Sequence, residues 1–488
     1  MTEKDNKPSN LGELIKSGYQ HQTIKQELRK NLVLALKAKR NVFEGILGYE
    51  KTVIPAVQNA LLAGHNINLL GLRGQAKTRI ARQMINLLDE WVPVVAGSEI
   101  NDDPLYPISH FAKEKIKNEG DKTPIEWMHR SERFNEKLAT PDVTVADLIG
   151  DIDPIKAANL KISYADAGAI HYGLIPRSHR CIFVINELPD LQARIQVALF
   201  NILQEGDVQI RGFKVRLPLD IQFIFTANPE DYTNRGSIVT PLKDRIQSQI
   251  LTHYPKELSH AKQITAQEAK INSDSPVEVN ELLRDLIEQI AFEARMSEYI
   301  DQKSGVSARL TISAYENLVS ASERRALVNG EKKTYARITD LYSVIPAING
   351  KIELVYEGEQ EGPLQVAQFL IGKAIKTQFL NYFPDPERIK KKKEPNPYLE
   401  ILDWFSKNDL DILTEVTDKE LREKINQVKG LHELVKKYCG KLPDDEKYLY
   451  AELVLFGLTE VSQLNKDMID SSILFKDLFS TVFRVGEN

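Results

Sequence analysis

Cysteine is scarce in this chain, and its scarcity excludes two kinds of site. The sequence contains only Cys181 and Cys439, which lie far apart and lack the paired spacing of metal ligands. Neither a disulfide framework nor a zinc site is therefore expected. The apolar start of the segment "CIFVINEL" makes Cys181 an ordinary core residue.

Long apolar runs and an excess of positive charge are also missing. No stretch of about 18 uninterrupted apolar residues predicts a membrane span. The first residues, "MTEKDNKPSNLGELIKSGYQ", are polar and lack the apolar core of a secretory signal. The 64 Lys and Arg residues face 69 Asp and Glu residues, for a net charge of −5, so no global positive field attracts nucleic acid. A cytoplasmic protein without membrane insertion is expected.

At 488 residues the chain exceeds what one hydrophobic core usually organises, so several domains are expected. Prolines and a basic run in "FPDPERIKKKKEPNPY" are typical of a linker. Helical periodicity dominates on both sides of this segment. The predicted parts are a helical N-terminal extension (1–39), an α/β domain (40–256), a helical domain (257–383), the linker (384–396) and a helical C-terminal domain (397–488).

Within residues 40–256, buried-strand patterns alternate with amphipathic helices. The strand patterns are "NINLLGL", "CIFVINEL", "DIQFIFTANP" and "QSQILTHY", and "DVQIRGFKVRL" is typical of a hairpin. Strands of consecutive apolar residues separated by helices predict a parallel sheet in a three-layer α/β domain. The segment 92–140 contains several prolines, and we expect an irregular insertion there with one short helix, "HFAKEKIKN".

The segment "LLGLRGQAKTR" joins the first of these strands to a helix. In a phosphate-binding loop, backbone N–H groups converge on the phosphates, a lysine adds charge and a hydroxyl holds magnesium. Here Gly71 opens the loop, Gly74 allows its turn, Lys77 supplies the charge and Thr78 the hydroxyl. Ala76 replaces the usual glycine, which we expect to be tolerated if its φ is negative. A simple strand-to-helix turn is the alternative. The predicted nucleotide contacts are Gly71, Gly74, Gln75, Ala76, Lys77 and Thr78.

Two polar residues end the strand "CIFVINEL", where nucleotide hydrolases place two acidic residues. Glu187 is the predicted catalytic base, which orients and polarises the attacking water. Asn186 is the predicted magnesium ligand together with Thr78, but its amide lacks the negative charge, so magnesium should be held less tightly. A strand that ends in these residues by coincidence is the alternative.

Three further residues complete the candidate catalytic set. Asn228 ends the strand "IQFIFTAN" and can reach the water or the γ-phosphate from a neighbouring strand. Arg245 in "TPLKDRI" is predicted to project into an adjacent subunit as a trans-acting finger. Arg309 in "SGVSARL" begins a helix and is predicted to contact the γ-phosphate. For each arginine, ordinary surface charge is the alternative.

The ordered series "GLRGQAKT", "CIFVINE", "TAN", "TPLKDRI" and "SGVSARL" resembles AAA+ ATPases of the helix-2-insert clade. It is most similar to the magnesium chelatase ATPase subunit and the MoxR ATPases, over about residues 40–380. The resemblance implies a sheet of order 5-1-4-3-2, a helical lid over residues 257–383 and a ring of six subunits with ATP between neighbours. It also implies pore-facing insertions around residues 155–176 and in the hairpin 207–217.

The same resemblance assigns a role to each motif residue. It implies ATP and Mg²⁺ as cofactors, with Gly74, Lys77 and Thr78 as phosphate and magnesium contacts. It implies Glu187 as catalytic base, Asn228 as sensor 1, Arg245 as finger and Arg309 as sensor 2. Arg235 in "TNRGS" is a second finger candidate. The departures at Ala76 and Asn186 put the hydrolysis rate in doubt more than nucleotide binding.

Three functions are consistent with these residues. The first is a ring-forming ATPase that remodels a protein partner, and such relatives commonly work with a protein that bears a von Willebrand factor A domain. The second is a nucleotide-gated scaffold with little hydrolysis, which Ala76 and Asn186 motivate. The third is a nucleic-acid translocase that uses Arg211, Lys214 and Arg216 of the hairpin; the acidic chain and the lack of an aromatic platform disfavour it. A metal-chelatase role is also consistent with the resemblance, although the sequence identifies no porphyrin site and no client.

Overall fold

A computed structural model describes residues 7–163, 167–210, 216–229, 238–469 and 472–478. The chain folds into two compact units, Met1–His253 and Tyr254–Asn488. Among the described residues, no helix combines the length and the apolar character that crossing a bilayer requires.

The first unit alternates strands and helices along the chain. Its strands are β1 (Ile67–Leu70), β2 (Trp91–Val95), β3 (Ile125–His129), β4 (Phe134–Leu138), β5 (Gly150–Ile152), β6 (Ile170–Tyr172), β7 (Cys181–Asn186), β8 (Asp207–Gln209), β9 (Arg216–Pro218), β10 (Ile221–Ala227) and β11 (Ser248–Leu251). Its helices are α1 (Leu11–Lys16), α2 (Ile24–Lys37), α3 (Val53–Leu62), α4 (Lys77–Gln83), α5 (His110–Glu119), α6 (Val145–Leu148), α7 (Pro154–Leu160), α8 (Leu174–Arg177), α9 (Ala193–Glu205) and α10 (Thr240–Arg245). This is the α/β architecture that the strand patterns predict.

The central sheet of the first unit has the strand order β11-β1-β10-β7-β4 among the described residues. All four neighbouring pairs are parallel. Counted along the chain, these strands are the fifth, first, fourth, third and second of the sheet, so the predicted order 5-1-4-3-2 is confirmed. Every residue of β1 and β10 is buried, as expected for strands covered by helices on both faces. The carboxyl ends of β1, β7 and β10 therefore meet at one edge of the sheet.

The segment 92–140 is more regular than its prolines predict. The expected short helix is present as α5, but β2, β3 and β4 lie in the same segment. Strand β4 is the second strand of the central sheet and pairs with β7 from Phe134 to Leu138. The prediction of an irregular insertion was therefore wrong. Strand β4 was not recognised from the sequence because it lies at the edge of the sheet, where its residues are only partly buried and form no apolar run.

The two predicted insertions each contain a short antiparallel pair. Strands β5 and β6 pair in the first, and residues 164–166 of that insertion lie outside the described residues. Strands β8 and β9 form the predicted hairpin. Residues 211–215, which include Arg211 and Lys214, lie outside the described part of the chain.

Helix α2 attaches the N-terminal extension to the sheet. Thr23 and Gln26 form a capping box at its start, and Ile24, Leu28 and Leu32 are buried. On the same helix, Glu27 forms two hydrogen bonds of 2.6 Å with the guanidinium of Arg133, which directly precedes β4. Glu27 is 2% exposed and Arg133 is 1% exposed. A buried, bidentate ion pair therefore links the extension to the amino end of β4.

The second unit is mainly helical. Its helices are α11 (Leu258–Glu268), α12 (Glu281–Ala294), α13 (Arg309–Asn329), α14 (Ile345–Asn349), α15 (Tyr356–Glu361), α16 (Pro363–Tyr382), α17 (Pro386–Lys392), α18 (Leu399–Phe405), α19 (Asp418–Ile425), α20 (Leu431–Cys439) and α21 (Asp444–Glu460). Its strands are β12 (Val277–Glu278), β13 (Thr334–Tyr335), β14 (Leu410–Leu413), β15 (Leu464–Ile469) and β16 (Ser472–Asp477).

Helix α21 is the central element of the second unit. Its residues are continuously buried from Leu449 to Leu458, as in a helix that is enclosed on all sides. A Cβ atom at Gly457 would lie 2.3 Å from Cγ of Phe379 on α16. The missing side chain therefore lets α16 and α21 pack closely. One hydrophobic core contains residues from Leu282 to Phe475, so the predicted lid and C-terminal domain share it.

Two features of the second unit differ from the sequence patterns. The segment 384–396, predicted as a linker, contains helix α17, whose Ile389 is buried in the shared core. The region after it is not wholly helical, because β14, β16 and β15 form an antiparallel sheet in that order. The short alternating runs of these strands were obscured by the helical periodicity around them.

Candidate nucleotide-binding site

The loop between β1 and α4 begins at a position that only glycine fits. The backbone N–H of Gly71 donates to the carbonyl of Ala227 at 3.1 Å. A Cβ atom at Gly71 would lie 1.9 Å from Oγ1 of Thr252 and 2.2 Å from Oε1 of Gln75. Thr252 donates a hydrogen bond to that same Gln75 oxygen at 2.6 Å. Gly71 therefore allows the loop to pack against the end of β11.

Two loop residues adopt the left-handed conformation. Gly74 has φ +74°, and Ala76 has φ +56°. The negative φ that was set as the condition for tolerating alanine is not met, so the methyl group of Ala76 carries a conformational cost that glycine would avoid. Helix α4 begins directly after Ala76, and the left-handed residue sets the direction in which the chain enters it.

Lys77 is buried at the start of α4, with 7% of its surface exposed. Its Nζ donates to the carbonyl oxygen of Gly71, to that of Leu72 at 3.1 Å and to Oδ1 of Asn228 at 2.7 Å. The ammonium group thus lies inside the loop, where a phosphate oxygen could replace one of these acceptors. The structure brings together the loop and the end of β10, as the sequence predicts.

The polar ends of β7 and β10 form one hydrogen-bonded cluster. The Nδ2 of Asn228 donates to Oε2 of Glu187 at 3.1 Å, while Oδ1 of Asn228 faces Lys77. Since the lysine can only donate and an ionised carboxylate can only accept, these partners fix the orientation of the amide. The result is a continuous chain from Lys77 through Asn228 to Glu187.

Asn186 lies beside this chain and faces two hydroxyl groups. Its Oδ1 accepts from Oγ1 of Thr226 at 3.2 Å and from Oγ1 of Thr78 at 3.5 Å. The Thr226 hydroxyl also accepts from the backbone N–H of Glu187 at 3.2 Å. Both hydroxyl donors would serve a carboxylate as well as an amide, so the pocket around position 186 is compatible with either.

The donor set fits a nucleotide and magnesium. The glycine-containing loop and Lys77 provide the N–H and ammonium groups that bind phosphate oxygens. Thr78 Oγ1 and Asn186 Oδ1 are hard oxygen ligands of the kind magnesium takes, although neither is charged. No group of three or more His, Cys, Asp and Glu side chains that could hold a metal occurs within the described residues. A magnesium ion here would therefore depend on phosphate oxygens for its negatively charged ligands.

The three candidate arginines lie in different parts of the chain. Arg245 ends α10, where its guanidinium donates to Oε1 of Gln204 at 2.7 and 3.0 Å and lies 5.1 Å from the Phe200 ring. Arg309 is exposed at the first position of α13, in the second unit. Arg235 lies outside the described residues. The contacts of Arg245 are with Gln204, Pro241 and Phe200, and none of these residues belongs to the loop.

Sequence reasoning missed three residues that support the site. The Tyr49 hydroxyl donates to the backbone carbonyl of Gln75 at 3.1 Å and to that of His253 at 2.6 Å. Thr252 holds the Gln75 side chain, and Thr226 links Asn186 to Glu187. The threonines had one signal, namely that each lies at or just after the carboxyl end of a predicted strand.

One protein-family model matches the chain, that of the Sigma-54 interaction domain, over residues 159–250. The matched segment contains Asn186, Glu187, Asn228 and Arg245. It therefore includes the ends of β7 and β10, which form the polar cluster.

Several solved structures are similar at low identity. A candidate ATPase from Cytophaga hutchinsonii is 18% identical, with 74% of this chain and 97% of that chain covered and a TM-score of 0.30. A model of the complex between subunits BchI and BchD of magnesium chelatase is 18% identical, with coverage of 65% and 98% and a TM-score of 0.33. NtrX from Brucella abortus in complex with ADP is 12% identical, with coverage of 76% and 70% and a TM-score of 0.38.

The fold assignment depends on three observations in the first unit. The parallel sheet has the order 5-1-4-3-2, the glycine loop follows its interior strand β1, and polar residues end β7 and β10 beside that loop. Together with the Sigma-54 interaction match over residues 159–250, they show that the first unit has the fold of an AAA+ P-loop domain.

Proposed function

We propose that the first unit binds ATP with Mg²⁺ at the β1–α4 loop and hydrolyses it. The observation that supports this most strongly is the hydrogen-bonded chain from Lys77 through Asn228 to Glu187. It places a phosphate-binding cation, a polar amide and a carboxylate at the same edge of the sheet. A simple strand-to-helix turn would not require this chain.

Each residue has a proposed role in this reaction. The loop residues Gly71, Gly74, Gln75 and Ala76 surround the phosphates, and Lys77 binds their oxygens. Thr78 and Asn186 hold magnesium, which would neutralise phosphate charge when bound. Glu187 accepts a proton from the attacking water, and Asn228 positions that water.

The assembly is part of the same proposal. We propose a cytoplasmic ring of six MoxR-like or chelatase-like subunits, in which Arg245 of one subunit reaches the nucleotide of its neighbour. Arg309 would approach the γ-phosphate from the second unit, and Arg235 is a second finger candidate. The work of the ring is to remodel a protein partner, with a von Willebrand factor A domain as the candidate partner module.

A nucleotide-gated scaffold with little hydrolysis is the second candidate, and the surroundings of Asn186 favour it. Its amide oxygen faces two neutral hydroxyls, so this part of the site contributes no negative charge toward magnesium. The third candidate, nucleic-acid translocation, gains no support from Arg216. That residue is paired with Asp207 at 3.4 Å across the hairpin.

Three substitutions test the proposal and separate the first two candidates. Lys77→Ala should abolish ATP binding, because it removes the cation. Glu187→Gln should retain binding but lower turnover by about 10²–10⁴-fold, the usual contribution of a general base. The measurements are equilibrium binding of a fluorescent ATP analogue and phosphate release with magnesium.

Asn186→Asp is the discriminating change, since the two side chains have nearly the same shape. A large rise in turnover indicates a scaffold whose hydrolysis was limited by the missing charge. An unchanged or lower turnover indicates a site adapted to asparagine. An oligomer that releases no phosphate, with magnesium and partner present, would refute the ATPase proposal.

A further inference from the structure

The second unit contains a cavity of about 430 Å³ that none of the nucleotide-site residues line. Its walls come from β12, the start of α12, β13, α19 and α21. The side chains that matter are Glu278, Tyr335, Arg422, Glu446, Tyr448 and Glu452. The volume lies within the usual range of ligand-binding pockets.

Glu452 forms part of the cavity lining and is 2% exposed. Its Oε2 accepts from the backbone N–H of Ile338 at 2.9 Å. Within the described second unit, no side chain donates a hydrogen bond to this carboxyl group. The nearby Arg337 instead directs its guanidinium to Asp418 and to the Val416 carbonyl. A buried carboxyl group with spare acceptor capacity favours a ligand that donates N–H groups.

Two acidic side chains of the lining form no ion pair with a described Lys or Arg residue. Each lining arginine has its own carboxylate: Arg284 lies 3.6 Å from Glu281, Arg337 contacts Asp418, and Arg422 lies 2.7 Å from Asp445. Glu446, in contrast, accepts from the neutral amide of Asn280 at 2.6 Å, and Glu452 accepts from a backbone amide. Among the described lining residues, Glu446 and Glu452 are therefore the acidic side chains that no Lys or Arg contacts directly, although Arg337 and Arg325 lie near enough to Glu452 to act on its pKa.

The lining tyrosines already face cations of the chain itself, since the guanidinium of Arg422 lies 4.9 Å from the Tyr448 ring and Nζ of Lys333 lies 5.4 Å from the Tyr335 ring. A further feature of the lining suits an extended chain. The residues from Val277 to Asn280 also line the cavity. In the parallel pair of β12 with β13, the carbonyl of Glu278 accepts a hydrogen bond from the N–H of Ala336 at 3.0 Å. Because successive residues of a strand direct their N–H and C=O groups to opposite edges, the peptide groups of Val277 and Val279 face away from β13.

We propose that this cavity binds an extended peptide segment of a partner protein and takes up one of its Arg or Lys side chains between Glu446 and Glu452. The peptide backbone adds to the free edge of β12, a recognition mode that combines main-chain hydrogen bonds with side-chain pockets. Charge complementarity selects the basic residue. This site is independent of the nucleotide loop, so its test does not depend on ATP hydrolysis.

The test uses the full chain and a fluorescein-labelled peptide of alternating Val and Thr with one central Arg. Fluorescence anisotropy should show saturable binding. The same peptide with citrulline, which keeps the shape but not the charge, should bind at least tenfold more weakly, and a central Glu should bind more weakly still. Absence of binding by the Arg peptide, or equal binding of the three peptides, overturns the proposal.

Variants locate the binding site. Glu446→Gln lies at the half-buried wall and should weaken binding at least tenfold while the thermal unfolding temperature is kept. At pH 8, Glu452→Gln should also weaken binding at least tenfold while it stabilises the second unit, because an amide replaces a buried charge, and the double variant should bind no better than the citrulline control. Glu423→Gln, an exposed carboxylate on α19 outside the cavity, is the matched control and should leave binding unchanged. Equal effects of Glu423→Gln and Glu446→Gln would contradict the assignment.

Free arginine amide and spermidine distinguish a peptide site from a small-cation site. Neither should compete with the labelled peptide at concentrations near its Kd, because neither can form the backbone contacts with β12. Displacement of the peptide by spermidine at such concentrations would overturn the peptide assignment.

Discussion

At the scale of single residues, Ala76 is the least expected feature of the nucleotide loop. An alanine with φ +56° costs about 1–2 kcal/mol relative to its right-handed conformation, whereas glycine adopts both with similar ease. The loop therefore keeps its shape despite an unfavourable residue. The contacts of Gln75 and Lys77 on either side hold it there.

Ala76→Gly should stabilise the first unit by about 0.5–1 kcal/mol, because the relief of backbone strain exceeds the added freedom of the unfolded chain. Gly74→Ala, at φ +74°, is the matched opposite and should destabilise by about 1 kcal/mol or more. Urea unfolding measures both, with Trp91 and Trp127 as reporters in a Trp404→Phe background. A loss of stability in Ala76→Gly would show that the methyl group makes a favourable contact.

At the scale of secondary-structure elements, the Glu27–Arg133 pair determines how α2 meets β4. Both side chains are almost completely buried, and the guanidinium also donates to the carbonyl of Arg180 at 3.0 Å. Burial of two charges is costly unless they are paired and hydrogen-bonded, and here each nitrogen of the guanidinium donates a hydrogen bond and both Glu27 oxygens accept one. The pair therefore specifies the position of the helix more than it adds net stability.

Glu27→Gln should destabilise the first unit by about 3–5 kcal/mol, since it leaves a buried guanidinium without its anion. The double variant Glu27→Met/Arg133→Met should recover most of that loss. Glu136→Gln breaks the exposed contact of Arg82 with Glu136 on the same strand, β4, and should change stability by less than about 1 kcal/mol. Urea unfolding measures all three, and a small effect of Glu27→Gln alone would count against the inferred role of the pair.

Strands β7 and β10 were predictable because they are runs of consecutive apolar residues, and their polar ends located Glu187 and Asn228. Strand β4 was missed because, at the sheet edge, its sequence "FNEKL" has no apolar run. The φ of Ala76 and the acceptors Gly71, Leu72 and Asn228 of Lys77 could not be predicted from the sequence either. They depend on where distant residues such as Asn228 lie, which local patterns do not encode.

At the scale of the whole molecule, buried carboxyl groups make the second unit sensitive to pH. Burial raises the pKa of Glu452 to about 7, against the opposing effect of Arg337, and burial likewise raises the pKa of Glu288 to about 7. Arg325, Asp340 and the Ile338 N–H also act on Glu452. A carboxyl group whose pKa is higher in the folded state binds its proton more tightly there. Its stabilisation is complete below the unfolded value of about 4.5 and is lost as the pH rises through about 7.

The second unit should therefore be more stable at pH 5 than at pH 8, by on the order of 3 kcal/mol for each group. Trp404 reports on this unit alone in a Trp91→Phe/Trp127→Phe background. Glu452→Gln and Glu288→Gln should each reduce the difference in the free energy of unfolding between pH 5 and pH 8, as measured by urea unfolding at both pH values. Asp418, whose pKa is lowered by Arg337 against the effect of burial, affects stability only at lower pH. An unchanged pH dependence in both variants would contradict this origin.

The hydrogen-bonded chain from Lys77 through Asn228 to Glu187 has a thermodynamic consequence. The amide of Asn228 bonds to Lys77 through Oδ1 and to Glu187 through Nδ2, so a rotation that breaks one hydrogen bond also disturbs the other. The two hydrogen bonds therefore share a coupling free energy. Such coupling is reciprocal: if release of Lys77 from Asn228 loosens Glu187, then release of Glu187 must loosen Lys77 by the same factor. A substitution of Glu187 is therefore expected to change the affinity of the loop for phosphate by a small factor without abolishing binding, in addition to its effect on turnover.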